Sequence, residues 1–419
     1  MTVVPPGPTL EPVQVVFGMI PRRRIEIERA DFADMLRGLG DDVAQAAAAV
    51  REFEDAASAA LDGCGVRATA SGRDALDLIL DGLGLVAGDE LVVPAYTLGE
   101  LVIRMQVRGL RPVAADVDVD TFAVTPQSVA RAITPRTRVV VALHVFGAPC
   151  DITGIATVTA ARGLPLIEDC AHAFGARING RAAGSFGTAA LFSLEVAKPV
   201  AAFGGGLLTS TSADLLAKVA ARLDQRQRTP WPATRKALMK SIEELAVRSP
   251  AYGLAARLMF RKKKVGSFEQ FYRSLHDRVR PANAAFSGFQ ARVALRRLAR
   301  LPQRNRELDA LWWQVSASLP PGLTAQQRSR FGQPTAYNFV ARYAGDLPAL
   351  RRNAQSLGLD LAIHGEVLDD VAAMLGQRDC PGAAQVFAQA VAIPLHRGID
   401  PTRLQRIGEI LAAVAVAAA

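Results

Sequence analysis

The segment Ser193-Leu194-Glu195-Val196-Ala197-Lys198 sets a lysine just behind an apolar run, and Phe203-Gly204-Gly205-Gly206 follows it. An amine near a buried strand end must find a counter-charge or give up its proton, and only the neutral amine attacks an aldehyde. Ser193 offers a hydroxyl to a phosphate oxygen. A surface lysine in a loop is the plainer reading of this segment alone. Upstream, Ile167-Glu168-Asp169-Cys170-Ala171-His172 leads from apolar residues into two carboxylates, at the kind of strand end where open α/β sheets hold ligands. A carboxylate is expensive to bury there unless it is paired, and Asp169 is the candidate to hold a protonated ring nitrogen. His172 can lie beside such a ring and bond its phenolic oxygen, or can simply be a satisfied core histidine. Earlier still, Ser71-Gly72-Arg73-Asp74-Ala75 follows an expected strand and opens an expected helix. Free N–H groups and the helix dipole favour a phosphate at such a place, glycine admits close approach, and Arg73 adds charge; an ordinary strand-to-helix turn is the alternative. Asn283, with Ser287 and Gln290 beyond it, opens a long helix and has no chemical meaning by itself. A phosphate cradle, a carboxylate for a ring nitrogen and a lysine of lowered basicity are together what pyridoxal 5'-phosphate requires.

The elements that must position these residues follow from the apolar pattern. Strand-like runs at 66–70, 90–96, 111–117, 138–145, 164–169, 189–194 and 205–210 alternate with amphipathic or alanine-rich stretches, the pattern of an α/β fold with a mainly parallel sheet flanked by helices. The run VVVALHV is apolar on both faces and is expected in the sheet interior. Residues 31–61 read as helix within an N-terminal segment, 1–60, that packs on a large domain, 61–224. Residues 225–282 are basic and aromatic, with Arg235, Lys236, Lys240, Arg248, Arg257 and the Arg261-Lys262-Lys263-Lys264 run, and read as an insert. A long helix over 287–319, stopped by Pro320-Pro321, introduces a smaller C-terminal α+β domain within 283–419.

Composition limits the alternatives. Lysine and arginine exceed the acidic residues by nine, which suits anionic partners of several kinds and does not select among them. The four cysteines stand far apart with no C-x-x-C pair, so neither a disulfide framework nor a metal site is expected and a reducing cytoplasm is. No apolar run is long enough to span a bilayer, and the start lacks a secretion signal. Nucleic acid is not expected as a partner, since no recognition motif accompanies the charge. The insert's mixture of cations with Trp231, Tyr252, Phe260, Phe268 and Phe271 admits a weak membrane-surface contact, a solvated face being the plain reading.

The blocks SGRDALDLIL, GDELVVPAYT, ITPRTRVVVALHVFGAPCD, LPLIEDCAHAFGA, GSFGTAALFSLEVAKP and FGGGLLTS, in this order, resemble the DegT/StrS family of pyridoxal-phosphate-dependent sugar aminotransferases, strongly over 50–215. Asn283 to Leu295 and AIPLH at 392–396 resemble it more loosely. The resemblance implies a fold type I transferase with Lys198 as the Schiff-base lysine, Asp169 as pyridinium partner and His172 beside the ring. It implies Gly72, Arg73 and Ser193 at the phosphate, and Asn283 reaching it from the neighbouring subunit of a homodimer with shared active sites. Where the family commonly stacks an aromatic residue on the ring, this chain has Leu98, which gives apolar cover without stacking. Ala197 and Pro199 flank the lysine where Thr and Asn are usual, and Ala285 stands where an arginine is expected.

The expected activity is transfer of an amino group, from glutamate, to a keto group of a nucleotide-linked sugar or related cyclitol. Two rivals remain: a dehydration or epimerisation through the same cofactor, and a catalytically silent scaffold. A nicotinamide dehydrogenase is more distant, since Gly82-x-Gly84 follows a helix and not a strand.

Overall fold

A computed structural model describes residues 19–227, 229–249 and 284–417. The first ten strands are β1 (Gly65–Thr69), β2 (Glu90–Pro94), β3 (Tyr96–Thr97), β4 (Arg111–Ala115), β5 (Thr137–Leu143), β6 (Leu166–Asp169), β7 (Arg177–Ile178), β8 (Arg181–Ala182), β9 (Ala189–Ser193) and β10 (Gly206–Ser210). Seven of them form one sheet in the order β1-β10-β9-β6-β5-β2-β4. Every strand expected for the large sheet is present, and β10 alone runs against the others. The pattern expected of 90–96 breaks at Pro94, and Tyr96–Thr97 leaves the sheet to pair elsewhere.

Strand alternation explains why the interior run of β5 is apolar on both faces. Val139 and Val141 pack with Ile167, Leu191 and the helix Gly72–Gly82 on one side. Val140 and Ala142 pack on the other with Phe192, the helix Val43–Ala60 and the long helix Gly288–Ala317. Helices Gly99–Val107, Pro126–Ala132, Ile152–Ala160 and Ala213–Leu223 complete the strand-helix alternation.

The helix expected over 31–61 is two helices, Arg29–Gly40 and Val43–Ala60. Asp42 breaks it. Its carboxylate accepts the Gln45 N–H at 2.8 Å while the Gln45 side chain accepts the Asp42 N–H at 3.0 Å, a reciprocal cap that ends one helix and starts the next. The long helix begins in the same way at Ser287 and Gln290 and continues through Pro302 to Ala317. Its first half, with Ala291, Ala294 and Leu298, belongs to the large core; its second half, with Leu308, Trp312 and Val315, belongs to another.

That second core lies under β11 (Leu323–Ala325), β12 (Phe339–Tyr343), β13 (Ala362–Ile363) and β15 (Ala390–Ile393), an antiparallel sheet in the order β11-β12-β15-β13. Between them β14 (Asp369–Asp370) returns to pair with β3, and Val386 and Ala390 pack in the large core, so the C-terminal part is stitched onto the large sheet. Of the basic insert, Trp231–Arg248 is a helix whose Ala233 and Ala237 are buried; the run 261–264 lies outside the described residues, as does Asn283. Among the described residues no helix is long and apolar enough to cross a membrane.

Candidate active site

Lys198 stands in the connection between β9 and β10, which closes on itself at a narrow neck. The Leu194 N–H donates to the Gly205 carbonyl at 2.9 Å, and the Leu194 carbonyl accepts from Ala202 at 2.8 Å and Gly204 at 3.2 Å. Ala197, immediately before the lysine, has φ 67°, and Phe203, Gly204 and Gly205 at the far side have φ 56°, 117° and 97°. An alanine in this region gives up about 1 kcal/mol, so the loop is held in place by its surroundings. At position 206 any Cβ would stand 2.5 Å from the Gly72 nitrogen. Glycine there lets β10 press against the start of helix Gly72–Gly82, with Ser71 as its cap.

The neck, the helix start and the end of β6 meet around one cavity of about 250 Å³. Gly72, Arg73, Leu98, Asp169, His172, Ser193 and Lys198 all line it. Seven of the eight positions singled out in the sequence thus converge; the eighth, Asn283, lies outside the described residues.

Asp169 is buried, and one oxygen accepts the Ala171 N–H at 2.9 Å. Burial pushes its carboxyl up, against the opposing pull of that N–H and the Lys198 charge. The same strand sends Glu168 to the other face. Its oxygens accept N–H groups of Gly184, Phe186 and Gly187 at 2.9, 2.6 and 2.7 Å, and the His144 ring lies at 3.1 Å. Cys170 joins His144 and Glu168 in a buried group of metal-ligand types, but the glutamate oxygens are already taken by these donors.

His172 is sandwiched between Phe146, centroids 5.8 Å apart, and Tyr337, 4.4 Å apart. Its Nδ1 accepts the Phe146 N–H at 3.2 Å. Burial, and then the Lys198 charge, hold it well below the ordinary histidine value, so the ring is neutral and carries its hydrogen on Nε2. The Lys198 ammonium lies 4.4 Å from the Tyr337 ring centre, a cation–π contact. At the start of helix Gly72–Gly82, Arg73 pairs with Glu100, and in the β9–β10 connection Glu195 has the Lys236 Nζ at 2.5 Å.

Tyr337, Glu100 and the Lys236–Glu195 pair were not assigned to the site from the sequence. Lys236 was visible only as one cation of the basic insert. Tyr337 arrives from the segment before β12 with no local signal.

The model of the DegT/DnrJ/EryC1/StrS aminotransferase family matches residues 26–319. The chain is 41% identical over 151 residues to the UDP-N-acetyl-3-dehydro-alpha-D-glucosamine 3-aminotransferase of Acidithiobacillus ferrooxidans, a match covering 36% of this chain and 41% of that protein. It is 41% identical over 152 residues to the L-glutamine:2-deoxy-scyllo-inosose aminotransferase of Streptomyces fradiae, covering 36% of this chain and 35% of that one. The likeness in sequence therefore spans well under half the length of these relatives. The fold is similar to that of the aminotransferase TlmJ from Streptoalloteichus hindustanus, with TM-score 0.76 and 20% identity over 96% of this chain and all of that one. It is also similar to DesI, with TM-score 0.74 and 24% identity over 96% and 94% of the two chains. Matched over most of its length by the family model and over nearly all of it by these folds, the chain belongs to the DegT/DnrJ/EryC1/StrS aminotransferase family.

Proposed function

We propose that the protein is an aminotransferase that uses pyridoxal 5'-phosphate held between Lys198, Asp169 and the start of helix Gly72–Gly82. The observation that carries this reading is the convergence of Lys198, a buried carboxylate and a helix start on one cavity. Two features fit the cofactor. Asp169 is a buried carboxylate whose burial calls for a positive partner, as a protonated ring nitrogen would be. The glycine contact at position 206 brings a helix start, with its N–H groups, to the same edge as Ser193 and Arg73, an arrangement suited to phosphate.

Bound there, the cofactor supplies an aldehyde for amine exchange and a protonated ring that draws charge from the substrate carbon. Lys198 would hold it covalently, and its amine is the base placed to take the proton from the substrate carbon. Asp169 would hold the proton on the ring nitrogen. Neutral His172, fixed by Phe146 and Tyr337, would offer its Nε2 hydrogen to the ring, and Leu98 lines the same cavity.

The substrate class comes from the relatives, which act on a nucleotide-linked amino sugar precursor and a cyclitol. We assign this chain a keto sugar of the first kind or a cyclitol of the second, with glutamate as donor, working in the cytoplasm. We also propose a homodimer in which Asn283 reaches the neighbouring site. Outward-facing Trp231, Leu238, Ile242 and Leu245 on helix Trp231–Arg248 support a membrane-surface contact for the insert; failure to float with anionic vesicles removes it.

The test of the central reading is the visible absorption of protein loaded with pyridoxal phosphate, before and after borohydride. A band that borohydride converts to a covalent adduct mapped to Lys198, absent from Lys198→Ala, is expected; no adduct defeats the reading. Release of 2-oxoglutarate from glutamate with a panel of keto sugars then identifies the acceptor.

A further inference from the structure

A second cavity meets the first at Lys198. Val196, Ala197, Lys198 and Pro199 form part of its wall. Seven arginines line it as well, the Arg22-Arg23-Arg24 run, then Arg297, Arg300 and Arg304 from one face of the long helix, then Arg397, beside Tyr337, Asn338 and His396. Against these the same wall carries two glutamates, Glu26 and Glu28. Most of the guanidinium groups have carboxylates. Arg22 bonds Asp360 at 2.9 Å, Arg24 bonds Glu244 at 2.6 Å, Arg300 bonds Glu28 at 2.7 Å and Arg397 lies 2.8 Å from Glu307.

Arg304 differs. Its side chain is 13% exposed and its Nε is 3.5 Å from Glu26. Its Nη1 is buried and has no hydrogen-bond acceptor among the described residues. A buried donor left unmade costs on the order of 1–3 kcal/mol, and folded proteins rarely leave one without a ligand or water to take it. The guanidinium fork matches carboxylate and phosphate oxygens. The cavity, about 60 Å³, has room for a small oxyanion group.

We infer that the arginine-lined cavity is an oxyanion subsite that takes a carboxylate or phosphate group on the compound whose amine or keto group meets Lys198. The link to Lys198 chemistry rests on the aminotransferase reading; the anion site itself rests on Arg304 and its neighbours. Two molecules can bring such a group: the amino donor, through a carboxylate, or the keto acceptor, through a phosphate or carboxylate close to its reacting carbon.

The test is calorimetric titration of inorganic phosphate into the cofactor-loaded protein, whose own phosphate site is then filled. One saturable site is expected, weakened by about tenfold or more in Arg304→Met, equivalent to ~1.4 kcal/mol, and by less in Arg304→Lys. Arg397→Met gives a second comparison at the mouth, where loss of folding is not at issue. Absence of phosphate binding by the parent, or equal binding by the parent and all three variants, overturns the inference. Competition separates the two sources. Phosphate that slows the glutamate-driven loss of the cofactor band assigns the subsite to the donor. Phosphate that leaves that rate unchanged and is displaced by a phosphorylated keto sugar assigns it to the acceptor. Phosphate that does neither refutes the connection to the amine exchange. A protein that gives no adduct at Lys198 yet loses phosphate with Arg304→Met defeats the aminotransferase reading and leaves the anion site standing.

Discussion

Glu168 and Asp169 are neighbours on one strand, equally buried, and face opposite ways. Glu168 receives three backbone N–H groups and the His144 ring. Asp169 receives the Ala171 N–H and opens into the cavity that Lys198 shares. The first carboxylate is spent on the fold, tying the turns after β8 to the back of the sheet. The second is left for something that comes from outside. Burial alone does not mark a functional group; what distinguishes the two is how much of their hydrogen-bonding capacity the protein itself uses.

Substitutions should separate these two roles. The largest effect is expected at Lys198. Lys198→Ala should abolish the borohydride-trapped adduct and lower amine transfer by about a thousandfold or more, with an unchanged melting temperature. Asp169→Asn should follow, losing about a hundredfold or more in transfer rate while the protein melts near the parent temperature. Glu168→Gln should do the reverse. It leaves buried N–H groups facing a poorer acceptor and should lower stability by about 2–4 kcal/mol, with the cofactor band retained in the folded fraction. Loss of the band in Glu168→Gln without loss of stability would erase the distinction.

Acidification tests the buried histidines. His396, whose Nδ1 accepts the Gly398 N–H at 3.2 Å with Nε2 3.1 Å from the Pro21 carbonyl, is pushed down to about 4, chiefly by burial. The unfolded chain takes up a proton near pH 6.5 that the folded chain refuses until about pH 4, so stability is present above 6.5 and is lost as pH falls through that window. The loss from this residue is on the order of 3 kcal/mol. His172, held low by burial and by Lys198, adds in the same direction. Denaturant melts between pH 7 and 5 should show the decline, and His396→Gln should flatten it; an identical slope in that variant would remove His396 from the account. The smallest effect is expected at Ala197, where Ala197→Gly relieves the left-handed backbone and should stabilise by about 1 kcal/mol or less.

The positions that converge on the cavity could be picked out because each sits in a local motif: a carboxylate ending an apolar strand, a glycine and arginine opening a helix, a lysine before a glycine run. Spacing along the chain carried that information, and the fold brings seven of the eight together. Tyr337 and Glu100 were not legible, because each reaches the site from an element with no chemical signature of its own, and Lys236 was one cation among many in a basic stretch. The arginine-lined cavity is harder still, being assembled from residues 22–24, 297–304 and 397. The break between the first two helices was legible in principle, in Asp42 and Gln45 spaced as a reciprocal cap, yet an alanine-rich pattern reads more readily as one helix.

The reversed strand β10 has a bearing on how the molecule comes into being. β1 lies at the edge of the sheet and pairs with β10, Gly65 opposite Ser210. The first sheet strand to leave the ribosome therefore waits about 140 residues for its neighbour, a separation that slows folding. The close fit of Gly206 against Gly72 forms at that same late moment. A nascent chain that has already made Lys198 still lacks the contact between β10 and the start of helix Gly72–Gly82, and on the proposed function uptake of the cofactor would report that the sheet has closed.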